Sequence, residues 1–196
     1  MIDYIKGDVA ELTPTYVVLE TGGIGYSIQI ALPTYTALAD AKSDKLFIYE
    51  AIREDAYLLY GFKTQKERQL FLLLISVSGI GANTARMILS SYSADEIQQM
   101  IATGNVSALN SIKGIGAKTA QRIIVDLKDK IVKLAGISSD SQQFDNETSA
   151  TKNEAVAALT MLGFSAALSQ KAVDKVLIQT PNATVEQIIK MALKML

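Results

Sequence analysis

The chain has 196 residues, 49% apolar and 20% charged, a balance that supports folded cores in one to three small domains. It contains no Cys and no His, which removes disulfides, thiolate zinc sites, cysteine nucleophiles and the commonest general base and metal ligand. The net charge of −1 conceals an asymmetry: residues 1–63 hold 5 Lys/Arg against 9 Asp/Glu, residues 64–134 hold 9 against 5, and residues 135–196 hold 5 against 6. A polyanion-binding middle domain would explain that split, although chance also produces it.

Asp3, Lys6 and Asp8 interrupt the first apolar residues, and no run reaches the roughly 18 apolar residues of a membrane span. The expectation is a cytoplasmic protein without a membrane association. Five short stretches rich in β-branched and aromatic residues, 2–9, 16–21, 26–30, 45–52 and 56–62, predict strands. Turn signals at Thr13-Pro14, Gly22-Gly23 and Pro33-Thr34 separate them. So many strands in so short a segment predict a small antiparallel barrel or sandwich, with the OB-fold first. Arg53-Glu54-Asp55 would be the tip of its last hairpin.

The period changes at Thr64. Thr64-Gln65-Lys66-Glu67 and Ser93-Ala94-Asp95-Glu96 have the spacing of capping boxes, and the apolar residues from Leu70 to Val77 fall at helical intervals. Residues 64–134 predict about five helices. Residues 136–151 are polar and aperiodic and predict a flexible linker. Beyond them 153–162, 165–178 and 184–195 predict three short helices, the last capped by Thr184-Val185-Glu186-Gln187. A unit that small should be only marginally stable, a property that fits a tethered partner-binding domain.

The strongest signal is a repeat. Gly79-Ile80-Gly81-Ala82-Asn83-Thr84-Ala85-Arg86-Met87-Ile88-Leu89 recurs as Gly114-Ile115-Gly116-Ala117-Lys118-Thr119-Ala120-Gln121-Arg122-Ile123-Ile124, 35 residues later, with 7 of 11 positions identical. Each copy reads as helix, tight turn, helix. Glycines allow a sharp turn and a close approach of the backbone to a ligand. The helix that follows presents free amides and the positive end of its dipole, which together make an anion site suited to phosphate and indifferent to base identity. Lys118 and Arg122 would add charge, and Thr84 and Thr119 hydroxyl donors. One such turn could merely close a helical hairpin; packing alone seldom demands Gly-Ile-Gly-Ala twice. Gly114-Ile115-Gly116-Ala117-Lys118-Thr119 superficially suggests a Walker A loop, but Ala117 stands where that loop needs Gly before Lys, and a helix is predicted where it needs a strand.

The doubled turn resembles a pair of helix-hairpin-helix motifs. Together with Arg53-Glu54-Asp55-Ala56, Leu58-Leu59-Tyr60-Gly61-Phe62, Gly22-Gly23-Ile24-Gly25-Tyr26 and Ile124-Val125-Asp126-Leu127-Lys128-Asp129, it makes the whole chain resemble the RuvA family, Holliday-junction-binding subunits of the bacterial branch-migration complex. The resemblance implies an α+β multidomain fold: an OB-fold barrel at 1–63, a double helix-hairpin-helix domain at 64–135, a linker at 136–151 and a three-helix domain at 152–196. It also implies a homotetramer, or two stacked as an octamer, that holds four-way junction DNA and recruits the RuvB ATPase, with the RuvC resolvase a further partner.

Carried over, the DNA contacts are Gly79, Ile80, Gly81, Ala82, Asn83, Thr84, Gly114, Ile115, Gly116, Ala117, Lys118, Thr119 and Arg122. Glu54 and Asp55 would form an acidic pin that keeps strands apart at the crossover. Leu159, Leu162 and Phe164 match the positions that contact RuvB, although core packing is the alternative reading for them. The chain would need no cofactor or metal, since ATP and Mg belong to the motor. It departs from the family at Asn83 and Ala117, where many members are basic, so a smaller salt dependence of binding is expected. Two alternatives remain at this point. One is a general duplex or single-strand binder. The other is a helix-hairpin-helix glycosylase, for which Asp126 and Asp129 come too early after the second hairpin.

Overall fold

A computed structural model describes residues 1–139, 147–181 and 183–196, without the side chains of 133–139 and 147–150. The chain divides into two compact units, the first spanning Met1–Ser139, with the described residues of the second in 147–196.

The first unit begins with five strands, β1 (Tyr4–Leu12), β2 (Tyr16–Thr21), β3 (Ile24–Gln29), β4 (Ser43–Ile52) and β5 (Tyr57–Phe62). They close into a barrel in the order β1-β2-β3-β5-β4, with β4 returning to β1. Four pairings are antiparallel; β3 and β5 run parallel, with Ile28 opposite Leu59 and Gln29 opposite Tyr60. The mostly antiparallel closed barrel agrees with the OB-fold expected, and the single parallel pair is the feature that periodicity did not reveal. The parallel pair requires a crossover, and a helix the sequence reading missed forms part of it, α1 (Leu32–Leu38). Pro33, a turn signal in sequence, sits in the first turn of α1, where its missing N–H costs nothing. Val17, Leu19, Ile28, Leu38 and Leu46 are completely buried inside the barrel.

Five helices follow: α2 (Gln65–Ile75), α3 (Ala82–Ser91), α4 (Ala94–Ala102), α5 (Val106–Asn110) and α6 (Ala117–Ser139). The capping boxes form as expected. Thr64 Oγ1 accepts from the Glu67 amide while Glu67 Oε2 accepts from the Thr64 amide, and Ser93 and Glu96 do the same for α4. These helices build a second core, distinct from the barrel interior, which takes in Tyr60 and Phe62 of the barrel. Phe71 of α2 packs against Tyr49, Tyr60 and Phe62 of the barrel, with ring centroids 5.3, 5.5 and 4.8 Å away. Arg68 Nη1 donates to the Asp3 carboxylate and carbonyl, at 2.6 and 2.8 Å. Arg86 of α3 donates to the carbonyl of Thr15 and to Gln29 Oε1, both at 2.9 Å. The barrel thus orients the helical region that carries the repeat.

In the second unit α7 (Glu147–Met161), α8 (Ala166–Gln179) and α9 (Val185–Ala192) enclose a core that includes Ala155, Leu159, Val173, Val176 and Ile188. Thr184 and Gln187 cap α9 reciprocally. Both ends of the expected linker are helical, because α6 runs on to Ser139 and α7 starts at Glu147; residues 140–146 lie outside the described residues.

Candidate nucleic-acid interface

The two repeats fold alike, bond for bond. In the first, Ser76 Oγ donates to the Leu73 carbonyl at 2.7 Å, the Ile80 amide to Val77 at 3.0 Å and the Ala85 amide to Gly81 at 2.9 Å. In the second, Ser111 Oγ donates to Ala108 at 2.7 Å, the Ile115 amide to Ile112 at 3.0 Å and the Ala120 amide to Gly116 at 2.9 Å. The equivalence therefore begins at Ser76 and Ser111, upstream of the segments where the sequence identity is obvious.

The glycines of each turn have different reasons to be glycine. Gly79 and Gly114 have φ of +92° and +89°, a conformation that strains any residue with a Cβ. Gly81, in contrast, has an ordinary extended backbone, φ −89° and ψ 170°. A Cβ at Gly81 or Gly116 would meet no atom within 4 Å. Neither the backbone of Gly81 nor the packing around either second glycine requires glycine.

The helix starts repeat this contrast. Helices α2, α4 and α9 fill their first-turn amides with their own capping side chains and carry acidic residues there. Helix α3 begins at Gly81 without a side-chain cap, and neither α3 nor α6 has an acidic residue in its first turn. Among the described residues the amides of Gly81, Ala82, Asn83 and Thr84 have no acceptor, and neither do those at 116–119. Eight N–H groups in two sets, each at the positive end of a helix dipole, are open to an anion.

The structure sorts the expected site residues. Ile80 and Ile115 are 5% and 4% exposed, their side chains belong to the core, and their amides are used within the turn, so their side chains anchor the turn from within. Ala82 is buried as well and offers only its amide, whereas Ala117 is exposed. Thr84 and Thr119 are half-buried near the helix starts. Asn83 Oδ1 accepts from the Tyr60 hydroxyl at 3.2 Å, which ties the first helix start to the barrel. Lys118 is exposed beside the second turn, as is Lys113, a cation the sequence reading passed over although it immediately precedes Gly114. Arg122 Nη1 donates to the Ser78 carbonyl at 3.2 Å and so spans the two motifs. The second turn is thus flanked by cations, while the first relies on backbone amides.

The segment before Gly114 comes from α5, a helix, so the strand of a nucleotide-binding P-loop is not there. Glu54 and Asp55 form the exposed tip of the β4–β5 hairpin, closed by the Arg53 amide donating to the Ala56 carbonyl at 2.8 Å. In the second unit Leu159 is fully buried, which corrects its expected role on a partner surface: three short helices need it inside. Phe164 packs partly against the same core. Leu162 is 61% exposed beside Met161, which is 89% exposed. No helix among the described residues is long and apolar enough to cross a membrane.

Comparison with known proteins finds family-model matches along most of the chain. Residues 1–61 match the family model described as RuvA N terminal domain, residues 71–129 the SAM-like helix-hairpin-helix tandem, and residues 151–196 the RuvA C-terminal domain. Relatives named Holliday junction branch migration complex subunit RuvA include that of Bacteroides thetaiotaomicron, 54% identical over 201 residues, and that of Parabacteroides distasonis, 54% identical over 196 residues, each covering 100% of both chains. The protein of that name from Flavobacterium psychrophilum is 46% identical over 99% of each chain. With three family models in order and full-length relatives at this level of identity, the chain belongs to the RuvA family.

Proposed function

We propose that this chain binds four-way junction DNA without sequence specificity, as a homotetramer or a stacked pair of tetramers, and recruits the RuvB ATPase to drive branch migration in recombination and repair. The observation that carries the reading is the pair of second glycines, Gly81 and Gly116: each has open space where a side chain would stand and heads a helix start with unused amides. Two phosphates of one duplex arm can occupy the two turns, and no base edge is read. Exposed Lys113 and Lys118 add attraction at the second turn.

The roles of the remaining residues follow from charge and exposure. Glu54 and Asp55, at an exposed hairpin tip, repel phosphates and keep strands apart at the crossover. Exposed Leu162, with half-buried Phe164 two residues on, offers the apolar contact for the motor. The chain itself is non-catalytic and takes no cofactor; ATP and Mg are held by RuvB, RuvC is a further partner, and the complex works in the cytoplasm. Gel-shift titration of a four-way junction against linear duplex of the same sequence, with native mass in parallel, tests the reading. Tighter junction binding by a tetramer or octamer is expected. Equal affinity for the two DNAs, or a monomeric mass with and without junction, would overturn it.

A further inference from the structure

The two motifs hold each other by one and the same residue position. Met87 is the eighth residue after Gly79, and Arg122 is the eighth after Gly114, so the two are equivalent in the repeat. Each side chain leaves its own motif and lands on the turn of the other. The Met87 Cε methyl stands 3.1 Å from where a Cβ of Gly114 would be. Arg122 Nη1 donates to the carbonyl of Ser78, the residue before Gly79, at 3.2 Å. Neither contact follows from the hairpins being well formed, because each hairpin closes with its own internal hydrogen bonds.

We propose that Met87 and Arg122 are reciprocal positioning residues that fix the separation and aim of the two phosphate-binding turns. This rests on the reading of those turns as phosphate sites. A duplex arm held at two points gains from the second contact only if the spacing is already set; a loosely hinged pair loses effective concentration at the second site. The Ser78 carbonyl is a poor neighbour for phosphate unless a donor covers it, and an N–H of the Arg122 guanidinium does so. Met87 reaches the other turn without charge, so its contribution can be separated from simple attraction to DNA.

The test uses the full chain with Met87→Ala, Arg122→Gln and Arg122→Lys. Amide hydrogen exchange without DNA reports each turn through Ile80 and Ile115, whose N–H groups are bonded inside the turns. Met87→Ala should speed exchange at Ile115 and spare Ile80; Arg122→Gln should do the reverse. Each should weaken junction binding on the order of tenfold, through the lost second-site advantage. Met87→Ala should leave the salt slope of binding unchanged, and Arg122→Lys should recover part of the Arg122→Gln loss at Ile80 as well as in affinity.

The inference fails if Met87→Ala changes neither Ile115 exchange nor affinity. It also fails if Arg122→Gln leaves Ile80 exchange alone while lowering the salt slope by about 0.9, the signature of one lost phosphate contact. If the unaltered chain shows no preference for junction over duplex, the functional reading falls, and the crossed exchange pattern still decides whether the two residues position the turns.

Discussion

Replacing both second glycines with aspartate should abolish junction binding without unfolding the protein. Gly81 is the N-cap of α3, and Gly116 is its counterpart before α6. The extended backbone of Gly81 accepts an L-residue, and the space around both Cβ positions is open. Aspartate is among the best N-cap residues, better than glycine by a few tenths of a kcal/mol, and its charge at the positive end of the helix adds about 0.3–1 kcal/mol. Gly81→Asp with Gly116→Asp should therefore leave Tm unchanged or slightly raised.

The same carboxylates would occupy the amides that the proposed function assigns to phosphate. A hydrogen bond to a charged group contributes about 1.5–3 kcal/mol, so losing one per turn costs about 3–6 kcal/mol, or roughly 10²–10⁴ in Kd. Thermal unfolding by circular dichroism, alongside junction titration at fixed salt, reads both quantities. A variant that still binds within about tenfold, or one that loses several degrees of Tm, would refute the claim that glycine here serves the ligand rather than the fold.

Gly79→Ala and Gly114→Ala should instead lower stability by about 1–2 kcal/mol each in denaturant titration, since both sit at positive φ, with Gly114 the more sensitive because Met87 crowds its Cβ position. Ser93→Ala should cost about 1 kcal/mol through loss of the α4 cap. It should also raise the Glu96 pKa, which bonds from Ser93 hold below the usual carboxylate value, a change readable by side-chain NMR titration. The Glu50 carboxyl is held low by the Tyr57 hydroxyl and then by the Ile2 amide; a depressed folded pKa gives stability that is present above the ordinary value of 4.5 and lost as pH falls through the folded one. Glu50→Gln should accordingly flatten the fall in Tm on acidification below about pH 4.5. Leu159→Ala should unfold the second unit, whereas Leu162→Ala should leave its Tm unchanged and weaken RuvB binding in pull-down.

Local chemistry wrote much of the fold in readable form. Three capping boxes could be read from residue spacing because both partners lie within one turn of helix. The strands and a small barrel could be read from β-branched runs, but the strand order could not: the parallel β3–β5 pair joins residues such as Ile28 and Leu59, too far apart in sequence for any periodicity to connect. Helix α1 was hidden because Pro33 serves a helix start and a turn equally well. The exposure of Leu162 against the burial of Leu159 was likewise invisible, since both are leucines on or beside one short helix, and only the packing of α8 and α9 tells them apart.

The turns separate what sequence can say from what it cannot. Gly-Ile-Gly announced an anion site through a rule that lumps both glycines together, and the structure divides them by cause. Gly79 and Gly114 sit at positive φ, where the chain bends, whereas nothing in the fold crowds a side chain at Gly81 or Gly116, and the proposed function accounts for their glycine by a close approach of phosphate. The isoleucine between them, counted with the contacts from sequence, faces inward and holds the turn to the core. Four of the six turn residues thus serve the shape of the turns, and under the proposed function the other two serve the ligand by lacking a side chain. A grip made this way cannot be recognised from polar or charged residues, which explains why a chain with net charge −1 can still be read as a DNA-binding protein.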